Sequence, residues 1–476
     1  MTDSQLIAAF DAALGEDYRQ ARRYARDVPS QSLLTLRSAL YKLTGILADT
    51  RVHFDSPNLY NRIEALSQAR VLGVRQVRAM HRLRADGNRG AHPEKYHLSQ
   101  ADLLALAQKS LQQFCQLVAG LSGAEPTAFE FEPLEDSCKR ELCYRAVMQD
   151  DAEAQYLLGM AFKAEGLMAR DLIAAAGEYG NGLKDESAAE PAPDAERLLA
   201  KAKHWFSEAA SLPKARYELA VAWLHCYGGN ADTARGLALL REAVDLGVED
   251  ACALLGFCAL TGQFGQTLDF TLAEELLSRA AQSGHSEAEA NLGVLFYQQG
   301  LTEQAFRHIE SAARAGFPPA QYHLYLLLGR GEGCQADAMA AERWLAEAAS
   351  QGQLDAMFLR ARHMLHDEST LGSDLKLAED YLRQVIRYSR SVPAMVELSM
   401  ALADGMLGRI DVVGAAALLH HGALIGNDEE RSIIAPLWQS LASQVERVLA
   451  LSQNADEKKA LERAKELLLE MPGQGD

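Results

Sequence analysis

The sequence has 476 residues, a mass of 52.0 kDa and a formal net charge of -18, with 48% apolar and 24% charged residues. This composition excludes an intrinsically disordered chain, and no run approaches the roughly 18 apolar residues that a membrane-spanning helix needs. Seven scattered cysteines without a Cys-x-x-Cys pair argue against structural zinc and favour a reducing, cytoplasmic environment. The start, Met1-Thr2-Asp3-Ser4, lacks the basic residues and apolar run of a secretion signal.

Charge divides the chain into two parts of opposite sign. Residues 1–122 carry 16 lysines and arginines against 11 acidic residues, a net charge of +5, so the remainder carries -23. The stretch from Leu121 to Pro133 contains glycine and two prolines without a helical period, which is typical of a linker. We therefore predict a basic domain over 1–122, a linker and lead-in helix over 123–150, repeats over 151–426 and capping helices over 427–476.

The basic domain is predicted to be helical, and arginines recur at helical spacing on two of its segments. These arginines are Arg19, Arg23, Arg26, Arg75, Arg78 and Arg82. A stripe of guanidinium groups can bind phosphate, so RNA or DNA contact is one interpretation. Docking onto the acidic remainder of the chain, or simple solvation, is the other, and a net charge of only +5 favours it.

The most distinctive short motif is Arg84-x-x-Gly87-Asn88-x-x-Ala91-His92. In a catalytic interpretation, His92 acts as general base on a ribose 2′-hydroxyl and Arg84 stabilises the charge that develops on the phosphoryl group. In a structural interpretation, Gly87 and Asn88 form a sharp turn that His92 closes by hydrogen bonding. The catalytic candidates are therefore Arg84, Asn88 and His92.

This motif resembles the signature Arg-x-x-Gly-Asn-x-x-Ala-His of the domain of unknown function numbered 4145, and the resemblance covers roughly residues 15–120. It implies a HEPN-like helical bundle, a group in which many members are metal-independent ribonucleases and which commonly pairs into homodimers. Active members separate arginine and histidine by four to six residues, whereas seven lie between Arg84 and His92. A binding or dimerisation role is therefore favoured, and a metal-independent endoribonuclease is the alternative.

From residue 151 onward the sequence repeats with a period of about 36 residues. A segment of the form Ala-x-x-x-Leu-small is followed by a second segment that ends in a small pair and, four residues on, a glycine. The repeat alanines are Ala154, Ala215, Ala251, Ala288, Ala320, Ala356 and Ala394, and the terminal glycines are Gly247, Gly284, Gly316, Gly352 and Gly426. Glycine supplies the left-handed backbone that ends a helix, and one helix pair cannot bury its apolar faces alone, so the pairs must stack.

These repeats resemble the Sel-1-like repeat family, relatives of the tetratricopeptide repeats, over roughly residues 151–426 in about seven helix pairs. The predicted fold class is all-α: an N-terminal helical bundle, then an α/α superhelical solenoid, then a C-terminal helical cap. The resemblance implies a scaffold or adaptor and leaves the ligand open.

Residues one to three positions after the repeat alanines are candidates for partner binding, because related solenoids line their concave face with them. The candidates are Tyr156, Arg216, Tyr217, Asn291, Gln321 and Tyr322. We expect a protein or peptide to bind there, and the charge of -23 favours basic protein surfaces over nucleic acid. Alternatively, the tyrosines fill the space between helical layers and the charges are solvated.

Catalytic motifs are absent: the sequence contains no Walker loop, no Gly-x-Ser-x-Gly, no His-Glu-x-x-His and no dinucleotide fingerprint. We therefore expect no cofactor, no metal and no membrane association. The sequence predicts a protein-interaction scaffold, in which the repeats bind a protein partner and the basic domain mediates dimerisation or nucleic-acid contact.

Overall fold

The computed structural model describes residues 1–49, 52–54, 57–91, 98, 100–123, 129–134, 138–179, 194–229, 231–469 and 471–472. These residues form 23 α-helices and no strand, with one isolated bridge between Thr2 and Glu130. The prediction of an all-α fold is confirmed. No helix within the described ranges is long and apolar enough to cross a membrane.

The described residues up to Leu121 form a helical domain around one apolar core. Its helices are α1 (Asp3–Phe10), α2 (Ala12–Tyr24), α3 (Pro29–Ala48), α4 (Leu59–Gln68), α5 (Val74–Ala91) and α6 (Gln100–Leu121). Tyr18 stacks on Phe114 with 6.0 Å between ring centres, and both rings are fully buried beside Leu40 and Leu111. The burial of these rings fastens α2 to α6.

The turn predicted at Gly87 and Asn88 is wrong, because α5 continues through both residues to Ala91. The glycines serve close helix packing instead. A Cβ added at Gly87 would lie 2.6 Å from Arg37 Cβ, and one added at Gly90 would lie 2.5 Å from Leu33 Cβ. Two glycines on one face of α5 therefore let it approach α3 more closely than any larger residue would allow.

A buried ion pair ties the start of the chain to the segment that follows α6. The carboxylate of Asp3 accepts hydrogen bonds from Arg22 and, at 2.7 Å, from the Tyr18 hydroxyl. Arg22 also donates to the carbonyl oxygens of Glu132 and Pro133, at 2.9 and 2.8 Å. Asp3 and Arg22 are 0% and 4% exposed, so neither charge is compensated by water.

A short helix, α7 (Lys139–Met148), leads into seven consecutive helix pairs. The first helices of the pairs are α8 (Ala152–Tyr179), α10 (Pro213–Leu224), α12 (Glu249–Thr261), α14 (Ser286–Gln298), α16 (Pro318–Arg330), α18 (Leu354–Leu365) and α20 (Val392–Ala403). The second helices are α9 (Ala195–Glu208), α11 (Thr233–Asp245), α13 (Phe270–Gln282), α15 (Thr302–Arg314), α17 (Ala338–Ser350), α19 (Leu375–Ser389) and α21 (Val412–Ile425). Two further helices follow, α22 (Asp428–Leu451) and α23 (Ala455–Leu467).

Local signals set the ends of the repeat helices. Six of the seven second helices are preceded by an N-cap aspartate, whose side chain accepts a hydrogen bond from the backbone N–H three residues on. These aspartates are Asp194, Asp232, Asp269, Asp337, Asp374 and Asp411. Four terminal glycines have the predicted positive φ, between 82° and 92°: Gly247, Gly284, Gly316 and Gly352. Gly426 does not, with φ at -68°, because a capping box at Asn427 starts α22 directly.

Large side chains of the second helices pack directly against glycines of the first helices. A Cβ added at Gly159 would lie 2.5 Å from the Phe206 ring, and one added at Gly256 would lie 2.8 Å from Leu277 Cγ. Because Phe206 and Leu277 are fully buried, these contacts fill the seam within each pair.

The contacts divide the chain into two compact units. One comprises Met1–Leu324 with Glu332–Cys334, and the other Tyr325–Gly331 with Gln335–Asp476. In the second unit the buried Glu342 accepts a 2.5 Å hydrogen bond from Arg360. At its end, Trp438 Nε1 donates to the Leu468 carbonyl at 3.1 Å and thereby fastens α22 to the end of α23.

Candidate functional site

A groove of about 460 Å³ lies along four successive first helices of the first unit. Its walls come from α8, α10, α12 and α14, from the turn that follows α12, and from Ala91 at the end of α5. Tyr217, Leu254 and Phe257 are half-buried along its floor. Four successive repeats therefore contribute side chains to one groove, as in the surfaces on which helical repeats bind peptides.

An aromatic side chain in a strained turn closes one side of the groove. Phe264 lies between α12 and α13 with φ 55° and ψ 23°, in the left-handed region that a bulky residue rarely adopts. Its ring meets the imidazole of His225 edge-on, with 5.3 Å between ring centres. Left-handed backbone at a non-glycine residue costs on the order of 1 kcal/mol or more and occurs disproportionately at functional sites.

Charged groups surround the half-buried Tyr217. Burial raises the pKa of its hydroxyl well above the usual range, and the nearby carboxylates of Asp250, Glu218 and Glu287 raise that pKa further. These carboxylates come from α12, α10 and α14, so three repeats contribute negative charge near one tyrosine. Lys163 on α8 opposes their effect and forms a 2.8 Å ion pair with Glu218.

Two of the other predicted partner-binding residues bond to the preceding helix end rather than lining the groove. Arg216 donates to the Ala210 carbonyl at 3.0 Å, and Gln321 donates to the Ala313 carbonyl at 3.3 Å. Both immediately follow a repeat alanine, and Gln155 at the same position bonds the Ala146 carbonyl at 3.3 Å. The residue after the repeat alanine therefore donates a hydrogen bond to one of the last carbonyls before its helix. The alanine pattern could have predicted this role, because these residues share one position in the repeat.

Tyr156, Asn291 and Tyr322 also lie outside the groove lining. Tyr156 is 7% exposed and packs against Phe206, with 6.2 Å between ring centres, so it fills the space between layers. Asn291 and Tyr322 are partly buried on α14 and α16. Of the six predicted residues, the structure therefore brings only Tyr217 into the groove.

The Arg84 motif of the N-terminal domain contacts the end of a repeat helix. Arg84 is 7% exposed, and its guanidinium donates to the Ala315 carbonyl, to which Asn88 Nδ2 also donates at 3.2 Å. Ala315 caps α15 and precedes the left-handed Gly316. A cation at a helix C-terminus is favourable because the carbonyl end of the helix carries partial negative charge. His92 lies outside the described residues.

A second contact between the domain and the repeats lies one repeat earlier. Asn58, which caps α4, lies against Gly284, the glycine that ends α13. A cavity of about 200 Å³ separates this contact from Ala315 and is lined by both domains. The N-terminal domain therefore meets the glycine turns of two successive repeats.

The predicted phosphate-binding arginines fall into two groups. Arg19 pairs with Glu16, Arg23 with Glu141, and Arg26 donates to the Leu134 carbonyl. Arg75, Arg78 and Arg82 are exposed on α5 and form no ion pair with any residue that the structure describes. No group of three or more metal-ligating side chains occurs within the described ranges.

Stacked helix pairs with these caps and turns define the class of α/α helical-repeat proteins. Family models match two parts of the chain: "Domain of unknown function (DUF4145)" over residues 19–132, and the Sel1 repeat over 152–177, 194–212, 213–248, 249–285, 286–317 and 318–353. The chain therefore contains six Sel1 repeats, preceded by a segment that matches the DUF4145 domain. Sel1 repeats generally mediate protein–protein interaction.

Similar proteins include chitin synthase regulatory factor 3 of Schizosaccharomyces pombe, which is 29% identical over 164 residues. That match covers 33% of this chain, and the chain spans only 17% of the length of that relative. A solved Sel1 repeat protein from Oxalobacter formigenes is 22% identical, with 64% of this chain and 91% of that chain covered and a TM-score of 0.43. The structure of c5321, a protective antigen of uropathogenic Escherichia coli with an SLR fold, is 15% identical. The match covers 99% of this chain and 95% of that chain, with a TM-score of 0.44.

We expect Arg84→Leu to loosen the contact between the N-terminal domain and α15. The substitution removes a buried, charge-assisted hydrogen bond, so hydrogen exchange of the amides in residues 302–317 should accelerate by about tenfold or more. Arg82→Leu is the matched control, because it removes an exposed arginine from the same helix. Equal exchange in the two variants would show that the contact contributes nothing to docking.

Proposed function

We propose that this protein is a scaffold whose repeats bind a protein partner in the groove around Tyr217. The supporting observation is the convergence of partly exposed aromatic and charged side chains from four successive first helices on one elongated surface. Mixed aromatic and polar surfaces of this kind bind peptides with the specificity that a scaffold requires.

In this proposal the N-terminal domain acts by docking on the repeats. Arg84, the arginine of the motif, is buried, and its guanidinium donates to the Ala315 carbonyl rather than facing a cleft. The contact with the Ala315 carbonyl favours a docking role for the Arg84 motif over the ribonuclease alternative, although the sharp turn of the structural interpretation is absent because α5 continues through Gly87 and Asn88. Dimerisation and nucleic-acid contact through this domain stay predictions, with the exposed arginines on α5 as their candidate surface.

A photo-crosslinking residue placed in the groove tests the proposal. We expect p-benzoylphenylalanine at Leu254, on the groove floor, to crosslink one discrete protein partner in the cells that make this chain. The same residue at Glu274, on the exposed face of α13, is the control and should give no such product. The partner, once identified by mass spectrometry and purified, should bind the unmodified chain and lose affinity for Leu254→Glu. Crosslinking that is equal at both positions, or absent at both in correctly folded protein, would reject the groove as the binding site.

A further inference from the structure

The long helix α22 carries a stripe of uncharged side chains on its exposed side. The stripe consists of Ile433, Leu437, Ser440, Gln444, Val448 and Leu451. Ile433 and Leu451, at its two ends, are 60% and 81% exposed, and Val448 is 43% exposed. At about 100° per residue, all six positions fall within about 80° around the helix axis. Isolated exposed apolar residues are ordinary on protein surfaces, whereas a set that shares one helix face is typical of an interface.

A different face of α22 holds the helix in its own chain. The buried residues of this helix are Ile434, Trp438, Leu441 and Val445, which lie about a quarter of a turn from the stripe. The helix continues through Pro436, so the stripe is unbroken. No position of the stripe is charged, although 24% of the whole chain is. Because the last elements of helical repeats normally present a polar outer face to water, an uncharged and largely apolar stripe here indicates a surface that another molecule covers.

The order of residues along the stripe is nearly the same in both directions. Three pairs lie at equal or nearly equal distances on either side of Ala442: Ile433 with Leu451, Leu437 with Val448, and Ser440 with Gln444. Two identical helices that pair in antiparallel fashion about Ala442 therefore bring apolar residues together at both ends and Ser440 against Gln444 in the middle. Such self-complementarity is what a twofold interface requires. The central polar pair also fixes the register, because a shift by one helical turn would oppose its members to apolar residues.

The charges at the start of α22 favour the antiparallel direction. Its first turn carries three carboxylates, those of Asp428, Glu429 and Glu430. A parallel pair would place the two acidic turns side by side and would align the two helix dipoles, and both arrangements are repulsive. An antiparallel pair keeps the acidic turns at opposite ends of the contact.

We propose that two copies of this chain associate through α22, antiparallel about a twofold axis at Ala442. The inference does not depend on the groove, and it adds an interface at the C-terminal end of the repeats. From Ile433 to Leu451 the helix rises about 27 Å, and a contact of this length buries less than about 1,200 Å² in total, at the lower end for specific complexes. We therefore expect a dissociation constant on the order of 1–100 μM. No ion pair forms between stripe residues, so salt does not weaken the contact.

Light scattering of the full chain after size-exclusion chromatography tests the proposal. At about 100 μM the mass should approach twice 52.0 kDa, and it should stay there in about 1 M NaCl. Ile433→Glu and Leu451→Lys should each raise the dissociation constant by at least about tenfold, because each substitution enters a twofold contact twice. Gln439→Glu, exposed on the other side of α22, is the matched control and should leave the mass unchanged. Melting temperatures should stay at the wild-type value in all variants, since the substituted side chains are exposed.

Combining the two substitutions tests the direction and the register. In the antiparallel pair the introduced charges face each other with opposite sign, so Ile433→Glu with Leu451→Lys should dimerise at least about threefold more tightly than either single variant. A parallel pair would oppose like charges and give no recovery. A wild-type chain that is monomeric at about 100 μM, single variants that dimerise as the wild type does, or a double variant no better than the single ones would each overturn the proposal. None of these outcomes affects the scaffold proposal, which crosslinking at Leu254 tests separately.

Discussion

Replacing Asp3 with alanine is expected to lower the free energy of unfolding of the N-terminal domain by about 3–5 kcal/mol. The substitution leaves Arg22, 4% exposed, as a buried charge without its carboxylate. It also removes the closer acceptor of the buried Tyr18 hydroxyl, at 2.7 Å, and leaves it only the Leu111 carbonyl at 3.3 Å. An uncompensated buried cation costs far more than the loss of one surface contact, because water cannot replace the missing partner.

Chemical denaturation can assign this loss to the correct domain. All four tryptophans, Trp205, Trp223, Trp344 and Trp438, lie in the repeats and the terminal helices, so their fluorescence reports mainly on those parts, with Trp205 and Trp223 packed against a cluster that includes Tyr24 of α2. Circular dichroism at 222 nm should show an early transition in Asp3→Ala that is much weaker in the fluorescence. Glu16→Ala breaks an exposed pair with Arg19 and should change stability by about 0.5 kcal/mol or less. A single transition at the wild-type midpoint would contradict the assigned role of Asp3.

Gly228→Ala is expected to destabilise the first two helix pairs by about 2–5 kcal/mol. Gly228 has φ 63°, and a Cβ there would lie 2.5 Å from the backbone nitrogen of Ala200 on α9. Backbone strain and a clash with another backbone therefore act together, and neither can be relieved by rotating a side chain.

A second glycine separates the two causes. Gly247 has φ 82° with no described atom within 4 Å of an added Cβ, so Gly247→Ala carries the strain alone and should cost about 1–2 kcal/mol. The difference in melting temperature between the two variants, measured by tryptophan fluorescence, reports the contact with α9. Indistinguishable melting temperatures would mean that α9 yields to accommodate the methyl group.

Local chemistry made the repeat helices predictable. Three features of the sequence determine where these helices lie and end: the alanine period, the glycine four residues after a small pair, and the aspartate before the second helix. Each acts within one turn of chain, so it can be read from the sequence alone. Gly426 shows the limit of such reasoning. The same glycine signal gives an extended residue there because the next helix begins at Asn427 with its own capping box.

The site depended on contacts that no local pattern encodes. Arg84 and Ala315 are 231 residues apart, and nothing near either residue indicates that they meet. Phe264 likewise lines the groove with a left-handed backbone and a ring contact to His225, neither of which the residue type reveals. The turn predicted at Gly87 was wrong because glycine serves helix packing as well as turns, and only the position of Arg37 decides which.

The hydrogen bonds to Ala315 fix the number of helix pairs that can lie between the N-terminal domain and this residue. The carbonyl that Arg84 and Asn88 bind lies at the end of the fourth helix pair, counted from α8 to α15. Inserting or deleting one pair would shift that carbonyl by roughly 10 Å, the spacing of packed helices, which is beyond the reach of either side chain. Gene duplication that lengthens the array ahead of Ala315 would therefore unseat the domain, whereas pairs added after α21 would leave this attachment intact.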